Sequence, residues 1–317
     1  MSTGEGKFMK DDKQSLIYAA AMLHSLITGL SYLFSKMGLN LSNPWDLLAY
    51  RFTASFLAIL IPVLLKWIRL DLSKEKIKNI LPLAIFYPLS FFTFQIFGLQ
   101  YMTSSESGIL LAMTPVFTLI LASYLLKEET TLLQKMSIIL SVLGVIYIIL
   151  NKGSAVGFTN MKGIVLLLLS ALSFSGYSIV ARKLTRNFSV TEMSCIMIII
   201  SFLCFNTMSV TNHLLNGTLS RFFAPLKDYR FIISALYLGV LSSLVTSLLT
   251  NYILSRIEAS KMCVFTNLST IISITAGVVF LNEKIYCYHI IGSICIILGV
   301  IGTNCLGKRN KSCRCKD

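Results

Sequence analysis

The chain has 317 residues, of which 55% are hydrophobic and only 13% are charged, and its mean hydropathy is +0.74. Soluble domains carry about 25% charged residues, so this composition excludes an ordinary soluble enzyme or binding domain. The formal net charge of +14 would suit a nucleic-acid-binding protein, but the positions of the basic residues indicate a membrane topology instead.

Ten long apolar blocks predict ten transmembrane helices. A bilayer-spanning helix needs about 20 apolar residues, and no block shows the alternating pattern of a membrane barrel. The polar segment "MSTGEGKFMKDDK" precedes a first block without a small-residue cleavage site, which predicts a retained span rather than a signal peptide. The ten blocks cover residues 14–38, 46–68, 79–100, 105–126, 133–151, 162–184, 191–213, 231–254, 261–281 and 286–306. We therefore expect an all-α, multi-pass membrane protein.

The basic residues are distributed unevenly between the two sides that ten spans would create. With a cytoplasmic N-terminus, the two tails and the even-numbered loops hold 20 of the 28 Lys and Arg residues. Cytoplasmic loops of membrane proteins carry such an excess, so both termini are predicted to lie inside. Six of the eight cysteines fall in predicted spans, where they are expected to pack as small apolar residues.

The two halves of the chain repeat each other. At a separation of 155 residues, "LGVI" recurs together with a glutamate and a small-residue pattern; the matches are Leu143–Ile146 with Leu298–Ile301, Glu128 with Glu283, Ser137 with Gly292 and Gly144 with Gly299. Earlier in each half the separation is 147, as in "TGLSYLFSK" and "SGYSIVARK", and the longer loop at 214–230 accounts for the difference. Residues 14–151 and 162–306 are thus two five-helix units. Because five is odd, the second unit enters the membrane from the opposite side, as in transporters that work by alternating access.

The chain resembles the ten-helix EamA-type branch of the drug/metabolite transporter superfamily. The most specific stretch is "FGLQYMTSSESGILLAMTPVFTLILASYLLKEETTLLQKMSIILSVLGVIYI", and "PWDLLAYRFTAS" is similar to the family's second helix. The resemblance covers both five-helix units and implies a central cavity lined by helices 1, 3, 4, 6, 8 and 9. It departs at Thr270, which stands where the first unit has Pro115, and at Thr28-Gly29, where the family has Trp-Gly.

The last helix of each unit carries the small-residue pattern, which resembles the packing face of small multidrug resistance proteins. Small residues let helix backbones approach closely in lipid. We therefore interpret Ser137, Gly144, Gly292 and Gly299 as helix-packing residues of helices 5 and 10 rather than as parts of a pocket.

Polar residues within the spans are the candidates for binding and coupling, because polar groups are costly inside a bilayer. His24 has Thr28 and Ser31 on the same helix face and could accept a coupling proton, although a neutral, hydrogen-bonded histidine is an alternative. On the helices that line the cavity by resemblance, the further candidates for substrate binding are Tyr32, Gln95, Tyr177, Asn251 and Asn267. For each of these, ordinary hydrogen bonding between helices is an equally good explanation.

A second group of residues is expected to shape or gate the protein. Arg51 either pairs with Glu106 or bonds carbonyl groups of a neighbouring helix, and Glu106 could equally be a solvated interfacial carboxylate. Pro115 should bend helix 4 because it lacks a backbone donor. Glu128 and Glu283 end the fourth helix of each unit at opposite membrane faces, as caps or as parts of two gates.

These features predict a secondary transporter that moves a small metabolite, amino-acid-like or otherwise polar, with export favoured and proton coupling or exchange as the driving reaction. The chain shows no metallopeptidase motif, no nucleophile elbow and no phosphate-binding glycine loop, so no enzymatic activity, cofactor or metal is expected. The expected partners are the substrate and the lipid bilayer, not nucleic acid; a homodimer is also compatible with the sequence. The alternatives are a nucleotide-sugar carrier and a non-transporting membrane receptor. Composition favours a bacterial inner membrane as the location.

Overall fold

The computed structural model describes residues 3–67, 73–126, 131–151, 158–184, 188–257 and 259–305, and all secondary structure in these ranges is helical. We number the helical elements in chain order: α1 Thr3–Leu39, α2 Pro44–Leu64, α3 Lys74–Leu99, α4 Ser104–Leu125, α5 Leu132–Asn151, α6 Phe158–Leu184, α7 Val190–Leu215, α8 Tyr229–Arg256, α9 Ala259–Leu281 and α10 Cys287–Cys305. Within the described ranges, α1 to α8 each contain a stretch long and apolar enough to cross a membrane. In α9 and α10 the apolar stretches are shorter, Leu268–Leu281 and Cys287–Gly302. The expected all-α membrane protein is confirmed.

The first helix begins earlier than the apolar block that predicted it. The apolar span of α1 is Ser15–Leu39, close to the expected 14–38, but the helical backbone starts at Thr3. Extending an existing helix adds one hydrogen bond for each residue fixed, so the polar residues before the span can continue the helix. The sequence pattern located the span but not the start of the helix.

Helices α5 and α10 form a close pair through small residues. A Cβ atom built on Gly144 would come within 2.9 Å of the Gly292 carbonyl oxygen, and a Cβ on Gly299 would come within 2.5 Å of the Ser137 carbonyl oxygen. The Ser141 hydroxyl also donates a hydrogen bond of 3.2 Å to the carbonyl of Ile296. All four predicted packing residues therefore lie at the contact between these two helices.

The other eight helices pack in pairs that leave one central space. Helix α1 packs on α9, α2 on α7 and on the middle of α8, and α6 on both α3 and α4. Across the α2–α7 contact, Thr53 and Asn206 exchange hydrogen bonds of 3.2 and 3.1 Å between their side chains. Helices α1, α3, α4, α6, α8 and α9 surround the central space, whereas α5 and α10 lie outside it.

A buried polar cluster joins α2 to α7 away from this space. Asp46, near the start of α2, accepts hydrogen bonds from the Ser209 hydroxyl at 2.5 Å and the Asn43 amide at 2.7 Å. Its Oδ1 lies 2.9 Å from Nε2 of His213, near the end of α7, and Nδ1 of this ring lies 2.8 Å from the Thr218 hydroxyl. The cluster fixes the two helix ends to each other, which explains why a carboxylate is found at the edge of a span.

Replacing Gly144 by Leu should separate α5 from α10, because the Gly292 backbone occupies the space that the new side chain needs. Overpacking of this kind costs about 1–3 kcal/mol, so the midpoint of thermal unfolding of the purified protein should fall by several degrees. Val142→Phe adds bulk on the exposed side of the same helix and should leave the midpoint nearly unchanged. Equal effects of the two variants would contradict the packing role of Gly144.

Candidate functional site

The central space is a cavity with about 540 Å³ of volume free of protein atoms, part of it continuous with the surroundings. Its wall comes from α1, α3, α4, α6, α8 and α9, the six helices that the resemblance implied. One part of the wall is aromatic, with Tyr87, Phe91, Phe92 and Phe174. The remainder is mostly polar, with hydroxyl, imidazole and amide groups. A concave site with an apolar surface and a few polar groups is the usual form of a small-molecule site.

The aromatic part of the wall is set by a break in α3. Tyr87 leaves the helical conformation with φ −145° and ψ 124°, directly before Pro88. Proline disfavours helical backbone in the residue that precedes it, so this break follows from the local sequence. Irregular backbone at membrane depth is tolerated where it lines a cavity, and the Tyr87 side chain lies in the cavity wall, with its ring centroid 4.7 Å from that of Tyr177.

One face of α1 supplies the polar part of the wall. His24, Thr28 and Ser31 all line the cavity, in agreement with their predicted position on a single helix face. His24 is 5% exposed and Ser31 is 3% exposed, so the structure places both in a site with little access to bulk water. The Ser31 hydroxyl donates a hydrogen bond of 2.7 Å to the carbonyl of Thr28. Of the three side chains on this face, only the imidazole of His24 is of a type that titrates near neutral pH.

The other predicted binding residues occupy different positions. Tyr32 and Gln95 line the cavity, and the buried Oε1 atom of Gln95 has no hydrogen-bond partner. Tyr177 and Asn251 lie outside the wall and join α6, α8 and α7: the Tyr177 hydroxyl donates to Asn251 Oδ1 at 2.7 Å, and Asn251 Nδ2 donates to the Ser194 hydroxyl at 2.8 Å. For these two residues the alternative explanation, hydrogen bonding between helices, describes the contacts.

Arg51 is fully buried and bonds the irregular part of α8. Its Nε donates to the Ser243 hydroxyl at 2.6 Å, and its Nη2 donates to the carbonyl and the hydroxyl of Ser242 at 2.9 and 2.8 Å. The proposed ion pair with Glu106 is therefore wrong, and the alternative of a bond to a neighbouring carbonyl group describes the contact. The guanidinium carbon also lies 3.7 Å from the ring centroid of Phe92, a cation–π geometry.

Helix α4 is interrupted where Pro115 was expected to bend it. Its two segments, Ser104–Leu111 and Thr114–Leu126, meet next to the cavity. Proline cannot donate to the carbonyl of Leu111, and the Thr114 hydroxyl donates to that carbonyl instead, at 2.6 Å. The carbonyl of Gly108 accepts from the Thr270 hydroxyl of α9 at 3.0 Å. Hydroxyl groups therefore satisfy the backbone around the interruption.

A group of charged side chains, which we call the capping cluster, holds the turn between α3 and α4. Glu283 accepts hydrogen bonds from the backbone N–H groups of Ser104 and Ser105 at 2.7 and 2.9 Å, and from the Ser105 hydroxyl at 2.5 Å. Lys36 donates to the carbonyl groups of Leu99, the last residue of α3, and of Met102, in the turn that follows, at 2.8 and 2.7 Å. An anion at a helix N-terminus and a cation at a helix C-terminus both stabilise the helix ends.

Glu106 is the second carboxylate of the capping cluster. The cluster therefore consists of Lys36, Glu106, Glu283 and His289. Glu106 forms a capping box with Thr103, whose hydroxyl accepts from the Glu106 N–H at 3.1 Å. Its Oε1 lies 3.4 Å from Nε2 of His289 on α10. Glu106 is 4% exposed and is therefore not a solvated interfacial carboxylate. Side chains of α1, α4, α10 and the connection between α9 and α10 thus converge on one turn.

Sequence reasoning missed much of the cavity wall. The residues not proposed from the sequence include Tyr87, Phe91, Phe92, Thr114, Phe174, Ser242, Thr246 and Ser269. Pro88 inside the third span was the available signal for Tyr87, because it breaks the helix there. Asn267 lies in α9 with a side chain outside the described part of the chain, and Glu128 lies outside the described residues.

The fold and the cavity define a multi-pass helical membrane protein with a central site bounded by six of its helices. The model of the EamA-like transporter family matches the chain twice, at residues 15–150 and 161–305. The chain belongs to this family. It is accordingly a membrane transporter rather than an enzyme.

Similar proteins agree with this assignment. The chain is 47% identical to "Uncharacterized transporter YcxC" of Bacillus subtilis (strain 168) over 296 residues, 93% of this chain and 95% of the relative. It is 26% identical to an "Uncharacterized transporter" of Archaeoglobus fulgidus, over 86% of this chain and 92% of the relative. A chain of a solved structure described as "Crystal structure of protein" matches with a TM-score of 0.63 and 15% identity, covering 94% of this chain and 99% of that chain. That likeness shows the fold alone.

Thr114→Val should destabilise the protein, because the Leu111 carbonyl would lose the hydroxyl that replaces the missing proline donor. Leaving a buried acceptor without a partner costs about 1–3 kcal/mol, which unfolding of the purified protein should reveal. Thr275→Val is the matched control, since the exposed Thr275 hydroxyl bonds a carbonyl of its own intact helix at 2.9 Å. A Thr114 variant no less stable than the control would show that the interruption needs no hydroxyl.

Proposed function

We propose that the protein is a secondary transporter that moves a small polar metabolite across a bacterial inner membrane by alternating access, without ATP. The central cavity carries this proposal, because both halves of the chain contribute to its wall. A cavity between two halves can be opened to either side by their relative movement. Export is the direction that we propose.

Two features of the fold support ten spans arranged as an inverted repeat, and the excess of Lys and Arg in the predicted cytoplasmic segments supports both termini inside. Helix α1 packs on α9, and their counterparts in the repeat, α6 and α4, pack on each other; α2–α7 and α5–α10 each pair a helix with its own counterpart. The third helix of each half is irregular in its middle, at Ile85–Ser90 in α3 and at Tyr237–Val245 in α8. Both features are expected when one five-helix unit is placed twice in opposite orientations.

The capping cluster is the contact that would close the outer end of the cavity. It fixes the α3–α4 turn of the first half to the connection between α9 and α10 in the second half through Glu283. At a separation of 155 residues, Glu128 is the counterpart of Glu283. We therefore assign Glu283 to the outer gate and Glu128 to the inner gate, so that release of one contact accompanies formation of the other.

The function is tested by transport into liposomes. A metabolite comparison between cells with and without the protein identifies candidate solutes, and purified protein in liposomes should exchange the correct solute for its labelled form in counterflow. Exchange without ATP and without any other protein is the expected result. A protein that binds the solute but never exchanges it would be a receptor, and the proposal would be wrong.

We propose that His24 carries the coupling proton, because it is the titratable group on the polar face of the cavity. His24→Ala should reduce proton-driven flux at least about tenfold while solute exchange without a pH gradient is less affected. Ser25→Ala, at a neighbouring buried residue outside the cavity wall, should retain both activities. Wild-type flux that does not change across a pH series would rule out this role for His24.

Glu283→Gln should open the outer end of the cavity more often, because the capping contacts lose their charge. Charged hydrogen bonds contribute about 1.5–3 kcal/mol, so the open population should rise by about tenfold. In a background without the eight native cysteines, labelling of Thr28→Cys by an impermeant maleimide from outside measures this opening. Lys284→Gln, at the next and exposed residue, is the control, and a labelling rate equal in the two variants would remove Glu283 from the gate.

A further inference from the structure

Arg51 is a buried cation that has only neutral hydrogen-bond partners. Its side chain is 0% exposed, and its Nε and Nη2 atoms donate to the hydroxyl and carbonyl groups of Ser242 and Ser243. Its Nη1 atom is buried and has no hydrogen-bond partner. A charge inside a membrane protein is costly, and a neutral cage stabilises it less than a carboxylate would.

Three of the side chains around Arg51 belong to the cavity wall. Phe92, which stacks against the guanidinium, and Ser242, which accepts from Nη2, both line the cavity. Tyr32, which lies near Arg51, lines it as well. The cation therefore lies directly behind the wall, at the depth of the aromatic surface.

The carboxylates of α2 and of the capping cluster have other partners. Asp46, on the same helix as Arg51, accepts hydrogen bonds from Ser209 and Asn43 and lies 2.9 Å from Nε2 of His213. Glu283 caps α4 with three hydrogen bonds, and Glu106 is held by the Thr103 N–H at 3.0 Å and approaches His289. Lys36 lies near both carboxylates of the cluster and donates to the carbonyl groups of Leu99 and Met102, so its positive charge offsets part of their negative charge. With His24 in its neutral form, the described residues of the cavity wall carry no charge. The field at the wall beside Phe92 is therefore dominated by Arg51 and is positive.

Resting on the function proposed above, we infer that the cavity selects solutes with a net negative head group, such as a carboxylate, over neutral and cationic solutes of the same shape, and that Arg51 is the source of this selection. The interaction of two charges is several times stronger in a protein interior than in water, so one buried cation behind the wall is sufficient for a clear preference. The aromatic surface of Phe91, Phe92 and Phe174 would hold the apolar body of such a solute. Arg51 acts here as a positioning residue, through its field.

A trio of probes tests the inference: 3-phenylpropionate, 3-phenylpropanamide and 3-phenylpropylamine. They share one aromatic body and differ in head-group charge, so differences in affinity report the charge preference of the site. Binding to the purified wild-type protein by titration calorimetry should follow the order carboxylate, amide, amine, with at least about a tenfold difference between the first and the last. Equal affinities, a preference for the amine, or no binding of the carboxylate at millimolar concentration would overturn the inference.

Substitutions at and beside Arg51 test whether this residue causes the preference for the carboxylate. Ser243→Asp places a carboxylate beside the guanidinium, because the Ser243 hydroxyl lies 2.6 Å from Nε, and should abolish the preference while the cation stays in place. Ser243→Asn adds nearly the same atoms without charge and should retain the order of affinities, even if all three weaken. Arg51→Lys should also retain the order, whereas Arg51→Gln should lose it. A purely structural Arg51 would change stability but leave the order the same in every folded variant, and that result would overturn the assignment.

The two proposals fail in different ways. If alternating access is wrong, the protein shows the expected order of affinities but no counterflow in liposomes. If the charge selection is wrong, counterflow is observed, but the amide or the amine probe binds as tightly as the carboxylate probe or more tightly.

Discussion

Every backbone N–H and C=O group within the hydrocarbon layer must find a partner inside the protein, because lipid offers none. Regular helical hydrogen bonding is interrupted at three places in the described part of the chain: the break before Pro88 in α3, the interruption before Pro115 in α4 and the irregular middle of α8. All three contribute residues to the cavity. Hydroxyl groups make these breaks tolerable, as Thr114 does for the Leu111 carbonyl.

The same constraint connects the cavity to its closure. The turn between α3 and α4 exposes helix ends whose N–H and C=O groups need partners. Glu283, from the connection between α9 and α10, and Lys36, from α1, supply charged partners to these ends. Because the partners come from other parts of the chain, satisfying the turn also joins the two halves of the protein at one end of the cavity. In the proposed alternating-access mechanism, this contact, which arises from a local requirement of the backbone, must break when the halves move.

The buried charge of Arg51, unlike the charges of the capping cluster, has no oppositely charged hydrogen-bond partner. The capping cluster combines cations, carboxylates and helix ends, so its charges are largely balanced. Arg51 is held by serines and an aromatic ring instead, which stabilises its position without cancelling its field. The structure therefore contains one balanced polar region at the end of the cavity and one unbalanced cation behind its wall. In the proposed mechanism, the first region closes the site and the second selects the solute.

Apolar runs and basic residues predicted the membrane class and most span boundaries, because bilayer thickness imposes a length that is visible without any structure. Spacing along one helix was also sufficient to place His24, Thr28 and Ser31 on a common face, and to identify Gly144 and Gly299 as packing residues. These properties depend on neighbours in sequence or on a repeated pattern.

Contacts between distant helices could not be derived in this way. The partners of Arg51 lie more than 190 residues away, and its choice of α8 over Glu106 depends on how α2 and α8 pack. Tyr177 and Asn251 look like cavity residues in the sequence but bond each other behind the wall, since only the rotation of α6 and α8 determines which face meets the cavity. The sequence by itself determined the membrane class, eight of the spans and the packing face of α5 and α10. Tertiary structure alone decided which polar side chains face the cavity, because helix rotation and long-range pairing are properties of the packed bundle.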